Sequence, residues 1–263
     1  MSQALLRQRL ARRLAWQKAV NDPVRDPRNR LPQLQALQAW QARRLSESFT
    51  DFKDNARMRP AAEFFLTDLY GERDFSGRDR DVAKVMPMMS RLLPDSLLVA
   101  AADAIGLAVL SHAFDLRMAE QLAARRRPDA PITLADYGEA YRAVGCPRLR
   151  RRQIELILGV GWTLDAAVKK HGVYKILRAS RLPARAAGLS ELQGFLERGF
   201  GAFDALGGAG DFLEAIGHRE REASRRLFAG HPDPFGEPGP GGRDRPSRTR
   251  GRGTGGSRAR SGP

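Results

Sequence analysis

Apolar residues in this chain recur at intervals of three and four, and residues 33–230 lack the strict alternation of a half-buried strand. This spacing predicts helices, and the punctuation sets their ends. Pro60 opens a helix that runs through Glu63-Phe64-Phe65-Leu66 to Leu69-Tyr70, and Gly71 closes it. Ser76 caps the next helix, with Asp79 three residues on, and Pro87 kinks it. Asp95 caps a long helix over 96–126, whose inward stripe is Leu98, Ala102, Ile105, Val109, His112, Leu116 and Ala119. Thr133 caps a helix over 134–144, and Pro147 opens another over 148–170. Helices over 174–180, 184–206 and 211–228 complete the set. The fold class expected is all-α, a single bundle-like domain of about eight to ten antiparallel helices with short connections.

Three zones divide the chain. Residues 1–32 read as a basic amphipathic helix and linker, residues 33–230 as the all-helical domain, and residues 231–263 as a tail. The tail is mostly Gly, Pro, Ser, Thr and Arg, with Phe235 as its only large apolar residue, so it is expected to be disordered.

Composition narrows the classes of function. One cysteine, Cys146, in 263 residues excludes a disulfide framework, a Cys-rich zinc module and a paired-cysteine redox site. No apolar run reaches the roughly 18 residues that span a bilayer; the longest, residues 97–110, contains Asp103. Arginines interrupt the N-terminus every few residues, so no signal-peptide core is present. A cytoplasmic protein is expected. The formal charge is +15, of which residues 1–60 carry +8 and residues 231–263 carry +4. Such a balance points to an anionic partner: an acidic protein, a nucleic acid or an anionic lipid surface.

Several stretches resemble an uncharacterised bacterial protein family. They are Pro60-Ala61-Ala62-Glu63-Phe64-Phe65-Leu66-Thr67-Asp68-Leu69-Tyr70-Gly71, then Asp74-Phe75-Ser76 with Arg78-Asp79, and Arg91-Leu92-Leu93-Pro94. Further on come Arg152-Gln153-Ile154, Pro183-Ala184-Arg185-Ala186-Ala187-Gly188-Leu189, Leu192-Gln193-Gly194-Phe195-Leu196-Glu197-Arg198-Gly199-Phe200 and Phe212-Leu213. The resemblance spans roughly residues 40–230. It implies an all-helical domain and carries over no catalytic role.

Motifs of reaction chemistry are sparse. Glu214 and His218 lie one turn apart with Glu220 close by, an incomplete metal-ligand set best read as a solvated helix end. His112, with Asp115 three residues on, is a candidate haem ligand or general base, but reads better as a hydrogen-bonded core histidine. Cys146, beside Arg148 and Arg150, reads as a capping-position cysteine rather than a nucleophile. Gly159-Val160-Gly161 lacks the third glycine of a dinucleotide loop. Gly207-Gly208-Ala209-Gly210 is a candidate anion nest, or simply a break between helices. No cofactor is implied.

Candidate binding features are mostly cationic. Residues 5–20 form a basic amphipathic helix with Leu6, Leu10 and Leu14 on one face, suited to docking on the body, to a partner groove, to nucleic acid or to peripheral membrane contact. Arg148, Arg150, Arg151 and Arg152 open a helix after a Gly145-Cys146-Pro147 turn, the outline of a helix–turn–helix reader. Arg178, Arg181 and Arg185 form a second candidate anion or partner site, unless Glu155, Glu191 or Glu197 pairs with them. Tyr70, Asp74, Arg78 and Asp79 form a candidate loop network or pocket, and Arg248-Thr249-Arg250-Gly251-Arg252-Gly253 resembles an RNA-contacting tail. The reading these features favour is a non-catalytic helical interaction or scaffold module. The alternatives are a nucleic-acid-associated protein and, third, a metal- or haem-dependent enzyme.

Overall fold

A computed structural model describes residues 3–69, 95–125, 130–170, 177–179, 181–186, 188 and 190–236. Ten α-helices and no strand occur among the described residues, so the fold is all-α. The helices are α1 (Gln3–Val20), α2 (Pro32–Ser48), α3 (Thr50–Asp54), α4 (Arg59–Phe64), α5 (Asp95–Ala123), α6 (Leu134–Val144), α7 (Pro147–Val168), α8 (Arg181–Ala186), α9 (Ser190–Ala205) and α10 (Gly210–Ala229). A 3₁₀ turn, Pro27–Arg30, joins α1 to α2, and one π-helical turn, Phe65–Leu69, extends α4.

Local sequence accounts for several boundaries. Thr133 and Asp136 form a reciprocal capping box at the start of α6. Pro147 lies in the first turn of α7, where a missing N–H costs nothing. The helix expected over 184–206 is two helices, because Gly188 adopts φ +70°, a left-handed conformation that ends α8. The expected caps and helices over 71–94 fall outside the described residues, as does the 174–180 helix apart from 177–179, which are helical.

The long helix α5 is the hub, packed by α1, α2, α6 and α7. The stripe expected on it is inward at Ala102, Ile105, Val109, Leu116 and Ala119. A second side is also buried, at Phe114, Met118 and Leu122, because α6 and α7 cover it. Along α1, Leu6 and Leu10 are buried, and Arg9 and Arg13 both reach Asp103 of α5, at 2.9 and 2.8 Å. The N-terminal helix is therefore docked, with its leucine face against α5 instead of facing a membrane.

The other main core lies between α3, α4, the π-turn, α9 and α10. Phe49, Phe52, Phe65, Phe203 and Phe212 meet there, with centroid separations of 5.1 Å for Phe52–Phe212 and 5.8 Å for Phe65–Phe212. Helix α10 lies close against α7, since a Cβ on Gly217 would sit 2.8 Å from Leu158 Cδ1. Arg219 clamps α10 to α3 through Asp51, at 2.8 and 2.5 Å. Order extends past the expected domain end at residue 230. Pro234 is buried, and Phe235 packs 6.1 Å from both Trp40 and Tyr137, with the Arg44 guanidinium 4.5 Å from its centroid. The tail's Arg248–Gly253 segment lies outside the described residues.

Candidate functional site

Two of the stretches that carry the family resemblance fold against each other. Phe64 and Phe65 of α4 and the π-turn enter the aromatic core, and Phe64 lies 5.4 Å from Phe195 of α9. Gly199 makes this approach possible, because a Cβ there would lie 2.8 Å from Phe64 Cζ. The π-turn next presents Asp68, which is buried and accepts hydrogen bonds from Arg198 Nε and Nη2 at 2.8 and 2.6 Å. Thr67 donates its hydroxyl to Asp68 at 2.9 Å. The preceding residue of α9, Glu197, accepts a forked pair of bonds from Arg181 at 2.6 and 2.5 Å, and a third from Gln193 at 2.9 Å. The guanidinium of Arg181 holds the Glu197 carboxyl down at about 2. Gln193 also donates to the Leu177 carbonyl at 2.6 Å.

This corner answers part of the second cationic candidate. Arg181 already holds a carboxylate from its own chain in the bidentate geometry that suits guanidinium. Arg178 adds attraction toward the same Glu197, and Arg185 is exposed. Tyr70, Asp74, Arg78 and Asp79 lie outside the described residues.

The α6–α7 corner separates the first cationic candidate. Gly145 and Cys146 both have positive φ, +66° and +61°, which turns the chain tightly into α7. Arg148, Arg151 and Arg152 are exposed, with Arg152 paired to Glu155 at 3.3 Å. Arg150 departs from this set. It is only 6% exposed, and its guanidinium carbon lies 3.7 Å from the Phe114 ring centroid and 4.2 Å from that of Tyr141. Its Nη2 donates to Met118 Sδ at 3.2 Å and its Nη1 to Gln153 Oε1 at 3.4 Å, while Nε has no hydrogen-bond partner. A helix rotates by about 100° per residue, so four arginines within five residues cannot share one face. Arg150 belongs to the buried line of Ile154 and Gly161, at intervals of four and seven. That phase was the signal in the sequence that placed it inward.

Half-buried Asp115 adjoins this cluster. It faces Arg150, and accepts from Gln41 at 3.1 Å and from Gln38. Burial pushes its carboxyl up to about 6. His112 does not pair with it; Nε2 meets Asn29 Oδ1 at 2.7 Å, and burial pushes the imidazole down, favouring its neutral form. Tyr141 shares a hydrogen bond with Ser224 at 2.8 Å, and Trp40 stacks on Tyr137 at 4.3 Å.

The remaining candidates have local explanations. At the Gly207–Gly210 break, Asp165 of α7 accepts the Ala209 N–H at 2.9 Å and pairs with Lys169 at 2.6 Å, so the protein supplies its own anion there. Glu214 and His218 are exposed on α10, while Glu220 pairs with Arg44 at 3.3 Å. Among the described residues, no group of three or more His, Cys, Asp or Glu is placed to hold a metal ion. No helix among them is long and apolar enough to cross a membrane.

The fold and these corners define a helical bundle held by an arginine-rich set of internal ion pairs and ring contacts. Residues 21–234 match the family described as a domain of unknown function (DUF8198), and the chain belongs to that family. The match takes in the 3₁₀ turn and α2, ahead of the stretches that carry the resemblance, and leaves α1 outside it. No curated protein and no solved structure matches the chain.

Proposed function

We propose that the chain is a non-catalytic helical interaction module of the bacterial cytoplasm. One observation carries the reading: side chains able to do chemistry are engaged as internal struts. Asp68 serves Arg198, Glu197 serves Arg181, Asp165 holds the start of α10, and His112 bonds Asn29. Arginines and large apolar groups also reach the surface, with Trp16, Leu149, Trp162 and Leu182 all exposed. Aromatic residues and arginine on a surface are the composition of protein interfaces.

Capture of the tagged full chain from its own cells tests this, with nuclease-treated and untreated lysates compared. Recovery of the same protein partner from both supports the module. Recovery that collapses on nuclease treatment, together with a strongly salt-dependent gel shift, favours the nucleic-acid reading instead.

A further inference from the structure

The outer face of α7 is built as a docking strip. Its exposed positions are Arg148, Arg151, Arg152, Glu155, Gly159, Trp162, Ala166, Lys169 and Lys170, which recur at three- and four-residue steps along one side. The opposite side of the helix is used within the bundle, through Ile154, Leu156 and Gly161. Trp162 stands 42% exposed near the middle, and nothing lies within 4 Å of where a Gly159 Cβ would be. Gly159, Trp162, Thr163 and Ala166 stand at i, i+3, i+4 and i+7, the four corners into which a neighbouring helix inserts one side chain.

Charge on this face is segregated. Three arginines stand at one end, with Arg152 paired there to Glu155; at the other, just past the last turn of α7, stand Lys169, paired to Asp165, and Lys170. No exposed cation lies between Arg152 and Lys169, a span of about 25 Å. A nucleic-acid strand carries a phosphate at every nucleotide and calls for cations interleaved with aromatics along the whole track. An uncharged centre holding Trp, bounded by charge, is instead the anatomy of a protein interface. A second copy of this chain, itself at +15, would bring like charge to these cationic ends.

We propose that this face of α7 docks an amphipathic helix of a partner protein, its apolar stripe bounded at both ends by Asp or Glu. The proposal rests on the interaction-module reading and specifies its surface and partner chemistry. Trp162, flanked on this face by Gly159 and Ala166, supplies the anchor, and Arg148 and Arg151 at one end and Lys170 at the other attract the partner and set its register.

Photo-crosslinking in the cells that make the full chain tests it, with p-benzoylphenylalanine replacing Ala166 and, in a separate variant, the exposed Leu182. The expected result is a nuclease-resistant adduct at position 166. Its crosslinked peptide should be an apolar helical segment with acidic ends, from a different protein. Adduct yield should fall about tenfold with Trp162→Ala and with the Arg151→Glu/Arg152→Glu double variant, and persist with Trp162→Phe. Circular dichroism and the melting temperature verify that Trp162→Ala and the double variant are folded; the double variant, at exposed positions on the helix surface, stands as the independent check. No adduct at 166, a nuclease-sensitive adduct, a peptide without acidic ends, or a yield unchanged in both variants overturns the proposal. A protein partner that is captured from lysate and crosslinks only through position 182 overturns docking on α7 and leaves the module reading standing.

Discussion

Arg150 is a cation held in the interior by rings and by sulfur, and its charge acts on Asp115. Cation–ring contacts of this kind gain strength when water is excluded. Arg150→Ala empties a buried site lined by Phe114, Tyr141 and Met118, so it should lower unfolding free energy by about 3 kcal/mol in urea titrations. Arg150→Met keeps most of the volume. Its recovery of stability should be larger at pH 5, where Asp115 is protonated, than at pH 8, where it would be an uncompensated buried anion. Asp115 itself gives a second test. Its folded-state value, about 6, lies above the roughly 3.9 of an unfolded aspartate. The native state therefore holds the proton more tightly, and the associated stability is present below about pH 4 and lost as pH rises through about 6. Asp115→Asn should flatten that part of the stability–pH curve and raise stability at pH 8 by on the order of 2 kcal/mol. Neither role was visible in residue identity. Asp115 stands three residues from His112 in the chain, yet the two side chains serve different neighbours, Gln41 and Asn29.

At the scale of elements, α1 and the α4–α9 corner behave differently. Helix α1 lies before the family-matched residues and contacts the bundle chiefly along α5. Leu10→Asp should release it, raising amide exchange across 3–20 by at least about tenfold while α7 and α10 keep their protection, as read by mass spectrometry. An unchanged exchange pattern would mean that Arg9, Arg13 and Asp103 hold the helix without its apolar contact. At the other corner, Gly199→Ala drives a methyl group into the Phe64 ring. The cost should be about 1–3 kcal/mol by chemical denaturation, as for other overpacked sites. The basic amphipathic pattern of α1 and the phenylalanine pair in α4 were both plain in the sequence. Their partners were not, because Asp103 lies about ninety residues from Arg9 and Arg13, and Gly199 lies further still from Phe64.

For the whole molecule, one aromatic residue in a Gly- and Pro-rich context, Phe235, ties the segment after α10 to the bundle. Phe235→Ala should cost about 2 kcal/mol and lower the melting temperature, since it strips a ring from Trp40, Tyr137 and Arg44. A melting temperature equal to the parent's would place the end of the cooperative unit at α10. Chain charge also changes meaning at this scale. Much of the body's arginine is structural, paired to Asp68, Asp51, Glu197 and Glu222 or laid on rings, so a high pI is not by itself a binding surface. The sequence by itself determined that the chain is helical, where most described helices begin, and that α5 and α1 have apolar stripes. Those properties depend on intervals of three and four residues and on local caps, and so act within a few turns. Only the tertiary structure decided which arginines are struts and which are surface, that Phe235 packs against the core, and that α7 leaves Trp162 partly exposed. Each of these depends on burial, and burial is fixed by neighbours that arrive from distant parts of the chain.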